Sequence, residues 1–269
     1  MKIILEQNFA VPIETPGEKE FIEIQEKLYN GIARRETQVI AKIPTLGLTK
    51  PELIIYPGIR SINDNSGLVK SMLEAEKEGA DAIVVNCWFD PGVETARQIL
   101  DIPVIGVCEA SLHLASVIGS KLAVVTSQPE FIPTMEEQIY HYRMNTRAIT
   151  VKPVRATLLG VADEFEAILS GKYEAVCKDF IKIAKGCIAD GAEVIITGCA
   201  LLAPLLTLSG LTEIGKVPVI NPVLVGIKWA EMLVDLQKLG VPIISRQGMY
   251  LSPGPGEAEA MMKGMFKNK

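Results

Sequence analysis

The chain has 269 residues, 48% of them hydrophobic, with 27 Lys plus Arg against 32 Asp plus Glu for a net charge of −5. That length is a soft prior for roughly two domains at about 150 residues each, and a chain this long buries on the order of 70% of its unfolded surface without help from disulfides or metal. The apolar content excludes intrinsic disorder, and mild acidity without a Lys/Arg run argues against a nucleic-acid or anionic-membrane surface.

Taken in chain order, the pattern predicts strands at 2–5 and 38–41, a helix over 67–78, a strand at 82–86, a helix over 93–100, and strands at 104–107 and 122–126. A helix over 175–190, strands at 194–197 and 217–220, and a helix over 225–239 follow. The strand segments are rich in Val and Ile and lack polar alternation, as expected when helices cover both faces of a parallel sheet. Such alternation is the mark of an α/β protein with right-handed crossovers. The longest apolar stretch, 198–211, is interrupted by Pro204, Thr207 and Ser209 and falls short of the about 18–20 residues of a spanning helix. The N-terminus turns acidic at Glu6 before a signal-peptide core could form, so a cytoplasmic protein with no membrane partner is expected. Five cysteines (Cys87, Cys108, Cys177, Cys187 and Cys199) are odd in number and widely spread. Without a CxxC or Cys/His ligand set, neither a disulfide frame nor a metal site is expected. No GxGxxG follows a strand and no GxxxxGK[ST] occurs, so nucleotide binding has no support.

An internal repeat carries most of the functional information. Glu78-Gly79-Ala80-Asp81-Ala82-Ile83-Val84-Val85-Asn86-Cys87 matches Asp190-Gly191-Ala192-Glu193-Val194-Ile195-Ile196-Thr197-Gly198-Cys199, with the two cysteines 112 residues apart. Ile102-Pro103-Val104-Ile105 then matches Val217-Pro218-Val219-Ile220. Each copy reads as helix, Gly-Ala turn, buried strand and strand-end cysteine. In open parallel sheets ligands sit at the carboxyl ends of strands. A lone strand-end cysteine is more often packing than chemistry; a cysteine repeated at the matching position of both copies favours chemistry.

Two thiols facing one cleft can work as a pair. One thiolate takes a proton from carbon while the opposite thiol returns one to the other face, which inverts the stereocentre. Sulfurs about 6–9 Å apart would leave room for the carbon between them. Asp90-Pro91-Gly92 reads as a helix start with Asp90 as N-cap and Pro91 at the first helical position, which would favour a thiolate at Cys87. Ala200-Leu201-Leu202-Ala203-Pro204 reads as the opening of a second helix, without a side-chain cap in the sequence.

At these residues the sequence resembles the aspartate/glutamate/hydantoin racemase superfamily, and within it the hydantoin and allantoin racemase branch. The resemblance is carried by Glu78–Gly92, by 101–116 with 122–127, and by 191–200, and more weakly by 57–62 and 244–250. It implies two pseudo-symmetric α/β lobes, each with a parallel sheet flanked by helices and with the site in the cleft between them. It also implies racemisation without a cofactor by Cys87 and Cys199. If the lobes exchange chain as in that family, residues 1–104 plus 222–269 form one and 105–221 the other. Amino-acid racemases of the superfamily show Cys-Asn-Thr and Cys-Thr at the two cysteines. Here Cys87-Trp88-Phe89 and Cys199-Ala200 disfavour free aspartate or glutamate. Where hydantoin racemases carry Asn-Pro-Asn-Thr after the first strand, this region reads Glu6-Gln7-Asn8-Phe9-Ala10-Val11-Pro12.

The candidate substrate-binding residues are Asn8, Asn86, Trp88, Thr126, Ser127, Gly198 and Ala200. Gly198 would admit close approach of backbone to a ligand or simply tight packing. Thr126 and Ser127 would hydrogen-bond a carboxylate or imide or make an ordinary turn. Trp88 and Phe89, if turned inward, suit an apolar ring substituent. Glu109 and His113, four apart, could orient each other or be a plain structural pair; His141 reads as surface. Pro253-Gly254-Pro255-Gly256 marks a turn before a Met-rich segment at 258–266, read as an oligomer contact or capping helix. The expected function is a cofactor-independent racemase of a small cyclic ureide, with a small-molecule substrate and a homo-oligomeric state. The alternatives are an amino-acid racemase, a one-cysteine decarboxylase or cis–trans isomerase, and a non-enzymatic binder of small acids.

Overall fold

A computed structural model describes residues 1–8, 17–45, 55–59, 67–254, 256–257 and 260. Residues 9–12 and 60–62 singled out above, and most of 258–266, lie outside that set.

Two sheets organise the chain. Strands β1 (Lys2–Glu6), β2 (Gln38–Lys42), β3 (Ala82–Val85) and β4 (Val104–Gly106) pair in the order β2-β1-β3-β4, all parallel. Strands β5 (Leu122–Thr126), β6 (Val154–Ala156), β7 (Val194–Thr197), β8 (Glu213–Ile214) and β9 (Val217–Ile220) pair in the order β6-β5-β7-β9-β8. Only β8, which runs back against β9, is antiparallel. All four residues of β3 and of β7 are buried, which explains their unbroken apolar runs: both faces are covered by helices. The fold is therefore α/β, with helices flanking two sheets that are parallel but for one edge strand. Every strand expected from the sequence is present. The short strands β6 and β8 were not expected, and β3 and β4 each end one residue earlier than the apolar run. At β4 the reason is Gly106, which caps the helix that starts at Val107, so the chain turns from strand to helix without a loop.

The helices are α1 (Glu18–Ile32), α2 (Val69–Lys77), α3 (Val93–Ile99), α4 (Val107–Ile118), α5 (Ile132–His141), α6 (Val161–Ser170), α7 (Glu174–Ala189), α8 (Leu202–Leu208) and α9 (Pro222–Lys238). No helix of the described residues is long and apolar enough to cross a membrane. Helix α1 serves both cores: Tyr29 packs under the first sheet, while Phe21 packs with Phe165 in the second, ring centroids 5.5 Å apart. Helix α9 follows the last strand of the second sheet yet packs on α4, β3 and β4 of the first. Its start follows simple capping chemistry: Asn221 Oδ1 accepts from the amides of Val223 and Leu224, at 2.9 and 3.1 Å, and Pro222 takes the first helical position. One position lets α9 lie close to the sheet. A Cβ on Gly226 would stand 2.9 Å from Val84 Cγ1 and 3.1 Å from Val107 Cγ1. Gly226→Ala is expected to destabilise the protein by about 1–3 kcal/mol, as overpacking does, measured by urea unfolding. An unchanged or raised midpoint would mean that α9 can slide without cost.

Candidate active site

Both repeat cysteines lie two residues past a central strand, at the carboxyl edge of their sheets. Beyond β3 the chain turns sharply: the Cys87 amide donates to Val85 O at 2.9 Å and the Asp90 amide to Cys87 O at 3.0 Å. Residues Glu6 and Val85 are partners in the β1–β3 register, so two residues later Asn8 reaches Cys87. The Asn8 Nδ2 group donates to Cys87 Sγ at 3.3 Å. Beside it runs a line of amides. Asn86 Nδ2 donates to Gln7 Oε1 at 2.9 Å, and Gln7 Nε2 donates to Gln25 Oε1 at 3.2 Å and to Leu5 O at 3.4 Å.

The helix start expected at Asp90 is not where the sequence placed it. Helix α3 begins at Val93 behind Gly92, a left-handed residue with φ 70° and no side-chain cap. The Asp90 carboxylate turns away and accepts from the amides of Cys108 and Glu109, both at 2.9 Å, and from the Tyr142 hydroxyl at 2.8 Å. It thus caps α4, one helix further on. Gly106 makes this possible, since a Cβ there would lie 2.4 Å from Asp90 Oδ2. Burial pushes the Asp90 carboxyl up to about 7, against the pull of its three donors. Gln138 Nε2 donates to Phe89 O, and Phe89 meets Phe131 edge-on at 5.5 Å. The turn carrying Cys87 is therefore held by α5 and the residues that flank it.

Beyond β7 the Gly198 amide donates to Val125 O at 2.8 Å, and Thr126 Oγ1 donates to Gly198 O at 3.3 Å. A Cβ on Gly198 would lie 2.8 Å from Val124 Cγ1 and 3.1 Å from Met135 Sδ, so packing alone demands glycine there. The Cys199 thiol is pushed up to about 11, by burial first and then by the charge of Glu164, while the Ser127 hydroxyl and the Leu201 and Leu202 amides pull the other way. The amide device expected at Cys87 thus stands at Cys199, ahead of α8. Ser127 Oγ donates to Glu164 Oε2 at 2.7 Å. Glu164 is fully buried and raised to about 8 by desolvation, with Ser127 and Cys199 hydrogen bonds opposing.

A narrow cleft joins the two strand ends. Asn86 and Trp88 line it from the first, Cys199, Ala200 and Ala203 from the second, and Val107, Pro222 and Val223 from helix starts. None of these carries a charge. The first amides of α4 and α9 are already bound by Asp90 and Asn221, so neither helix start is an open anion site. Cys87, between Asn86 and Trp88, is 7% exposed.

Of the residues read from the sequence, Asn8, Asn86, Trp88, Ser127 and Ala200 stand against one of the two cysteines or in the cleft, while the Thr126 hydroxyl is bound to Gly198. Glu109 and His113 do not pair: Glu109 accepts from Arg97 Nη2 at 2.5 Å, and His113 stacks on Trp229 at 6.2 Å. His141 sits 3.1 Å from Glu94 at the surface. Phe89 packs on Phe131 rather than lining the cleft. Sequence reasoning missed Glu164 and Gln7. The signal for Glu164 was present: in α6 it shares the buried face with Ala167 and Ile168, at the i, i+3, i+4 spacing of an apolar stripe.

A family profile described as Asp/Glu/Hydantoin racemase matches residues 41–230. Hydantoin racemase from Pseudomonas sp. (strain NS671) is 36% identical over 206 residues, 77% of this chain and 78% of the relative. Hydantoin racemase from Rhizobium meliloti is 31% identical over 167 residues, 62% of this chain and 66% of the relative. Among solved structures, allantoin racemase from Klebsiella pneumoniae superposes with a TM-score of 0.74 at 21% identity, covering 96% of this chain and 98% of that one. The two strand-end cysteines, the paired sheets and these matches agree: the chain belongs to the Asp/Glu/hydantoin racemase family and is an isomerase of the racemase class.

Proposed function

We propose that the protein interconverts the enantiomers of a small cyclic ureide, hydantoin-like or allantoin-like, by proton transfer between Cys87, substrate and Cys199, without a cofactor. The observation that carries this reading is the uncharged cleft to which both strand ends contribute. A free amino acid would bring a carboxylate into it with no cation among the described lining residues and the starts of α4 and α9 already capped, and burying an unpaired charge is costly. A neutral ring meets no such penalty. Names of the relatives point the same way.

In one direction Cys87, as thiolate, takes the proton of the ring carbon. The C–H electron pair moves into the adjacent carbonyl as an enolate, and Cys199 delivers its S–H proton to the opposite face. That turnover leaves Cys87 as thiol and Cys199 as thiolate, the starting state for the other enantiomer. Two features favour these starting roles. An amide N–H from Asn8 on Cys87 Sγ favours the charged form of sulfur, and Cys199, raised to about 11, keeps its proton near neutrality.

The test is proton NMR in heavy water with separate enantiomers of 5-substituted hydantoins, allantoin, aspartate and glutamate, with optical rotation followed in parallel. Loss of the ring C–H signal together with decay of rotation is expected for a ureide. Exchange confined to aspartate or glutamate would overturn the substrate class; exchange with rotation retained would overturn racemisation.

A further inference from the structure

Two polar atoms of cleft-lining residues have no hydrogen-bond partner among the described residues. The Trp88 Nε1–H and the Asn86 Oδ1 are both buried without a hydrogen bond, in residues 3% exposed that line the same space as Cys199. Buried polar groups are almost always satisfied, so two orphans at one cleft call for a ligand. Their polarity is fixed. An indole nitrogen can only donate. The Asn86 amide is oriented by a relay that ends on a backbone carbonyl: Leu5 O can only accept, so Gln7 must present its N–H there and its oxygen to Asn86. Asn86 then spends its N–H on Gln7 and leaves its oxygen unpaired.

We infer that Trp88 Nε1–H and Asn86 Oδ1 form a donor–acceptor pair that reads one N–H/C=O edge of a cyclic amide, making these side chains specificity determinants rather than acid–base groups. This rests on the ureide reading above and names the chemistry behind it. A ring amide is held cis, so its N–H and its carbonyl point to the same side from adjacent atoms. Residues 86 and 88 present the complementary acceptor and donor two positions apart. A carboxylate offers two acceptors and no donor, which sets its lone pairs against Asn86 Oδ1, so the same pair rejects the acid of an amino acid. Trp88 therefore contributes its N–H and not only the apolar wall expected from its ring.

The chain has two tryptophans, Trp88 and Trp229, so 15N labelling of tryptophan gives two indole signals, assigned by the Trp88→Phe and Trp229→Phe variants. Adding hydantoin to the wild-type protein should shift the Trp88 indole signal and slow its exchange with solvent, leaving that of Trp229 in place. A hydantoin methylated on both ring nitrogens should bind about ten-fold more weakly, having lost the donor that Asn86 needs. Trp88→Phe should lower kcat/KM by about ten-fold for the same reason. Ring C–H exchange in heavy water is followed on the same samples. An indole shift with exchange supports both the pair and the racemase. A shift without exchange supports the pair and removes the racemase. Exchange with no shift and no discrimination against the methylated ring removes the pair alone; neither shift nor exchange removes both. Because the wild-type titration needs no variant, a Trp88→Phe chain that fails to fold leaves the outcome decided, with Trp229→Phe supplying the assignment.

Discussion

Cys87→Ser and Cys199→Ser should each reduce racemisation on the order of 10³-fold, within the range attributed to a positioned acid or base. Serine is nearly isosteric with cysteine but far less acidic, so it neither holds a negative charge near neutrality nor returns a proton as a thiol does. Inversion needs both an acceptor and a donor, one on each face, so either loss suffices. The two variants should differ in what they keep. With Cys199 as serine, the remaining Cys87 and its Asn8 contact can still exchange the ring proton of one enantiomer. With Cys87 as serine, exchange of the other enantiomer depends on the thiolate of Cys199, which burial and Glu164 push up to about 11. Its rate should therefore climb about ten-fold per pH unit through neutral and mildly alkaline pH, as thiolate fraction does well below the pKa. The measurement is isotope uptake and optical rotation for each enantiomer, on variants whose melting matches wild type. Near-wild-type racemisation by either serine variant would make that cysteine a packing residue.

Stability is expected to decline from about pH 5 to about pH 8.5, the reverse of what an abundance of salt-bridged carboxylates would produce. Three buried carboxyls are responsible. Glu6 and Glu164 are raised from 4.5 to about 8 and Asp90 from 3.8 to about 7, in each case chiefly by desolvation. Between those limits the folded chain holds protons that the unfolded chain has released. The folded state thus binds more protons, and unfolding is favoured as pH rises. The contribution is complete below about 4 and is lost as pH passes through the folded values. One group alone can contribute a slope of up to about 1.4 kcal/mol per pH unit. Glu6 isolates the effect, because its carboxyl is fully buried in β1 and desolvation outweighs the pull of Ser71 and Lys42. Glu6→Gln should match wild type at pH 5 and exceed it at pH 8.5 by about 2 kcal/mol or more, since a neutral amide is spared the ionisation. Urea unfolding at the two pH values checks this. A wild-type midpoint that rises with pH, or a Gln variant weakened equally at both, would show that these carboxyls are ionised in the folded protein.

Composition and periodicity alone determined the class of fold, because a strand covered on both faces must be apolar throughout, and β1, β3, β5 and β7 announce themselves that way. The repeat ending in Cys87 and Cys199 was equally legible, since the strand that positions a residue at its carboxyl end also sets its place in the local pattern. Asp90 shows where local reasoning stops. Asp-Pro-Gly satisfies the rules for a helix start, yet its carboxylate finds the bare amides of α4, brought within reach only because β4 lies beside β3 and Gly106 has no side chain. Glu164 is the same case: its neighbours Ser127 and Cys199 lie 37 and 35 residues away in sequence, and no spacing rule connects them. Likewise the direction of the Asn86 amide depends on Gln7, just past the end of β1, and through it on a single carbonyl of that strand. Which residues reach the strand ends is written in the chain; which of their hydrogen bonds are spent and which are left open is settled only when the sheets pair, because a polar group's partner is whatever the tertiary contacts bring within about 3 Å of it.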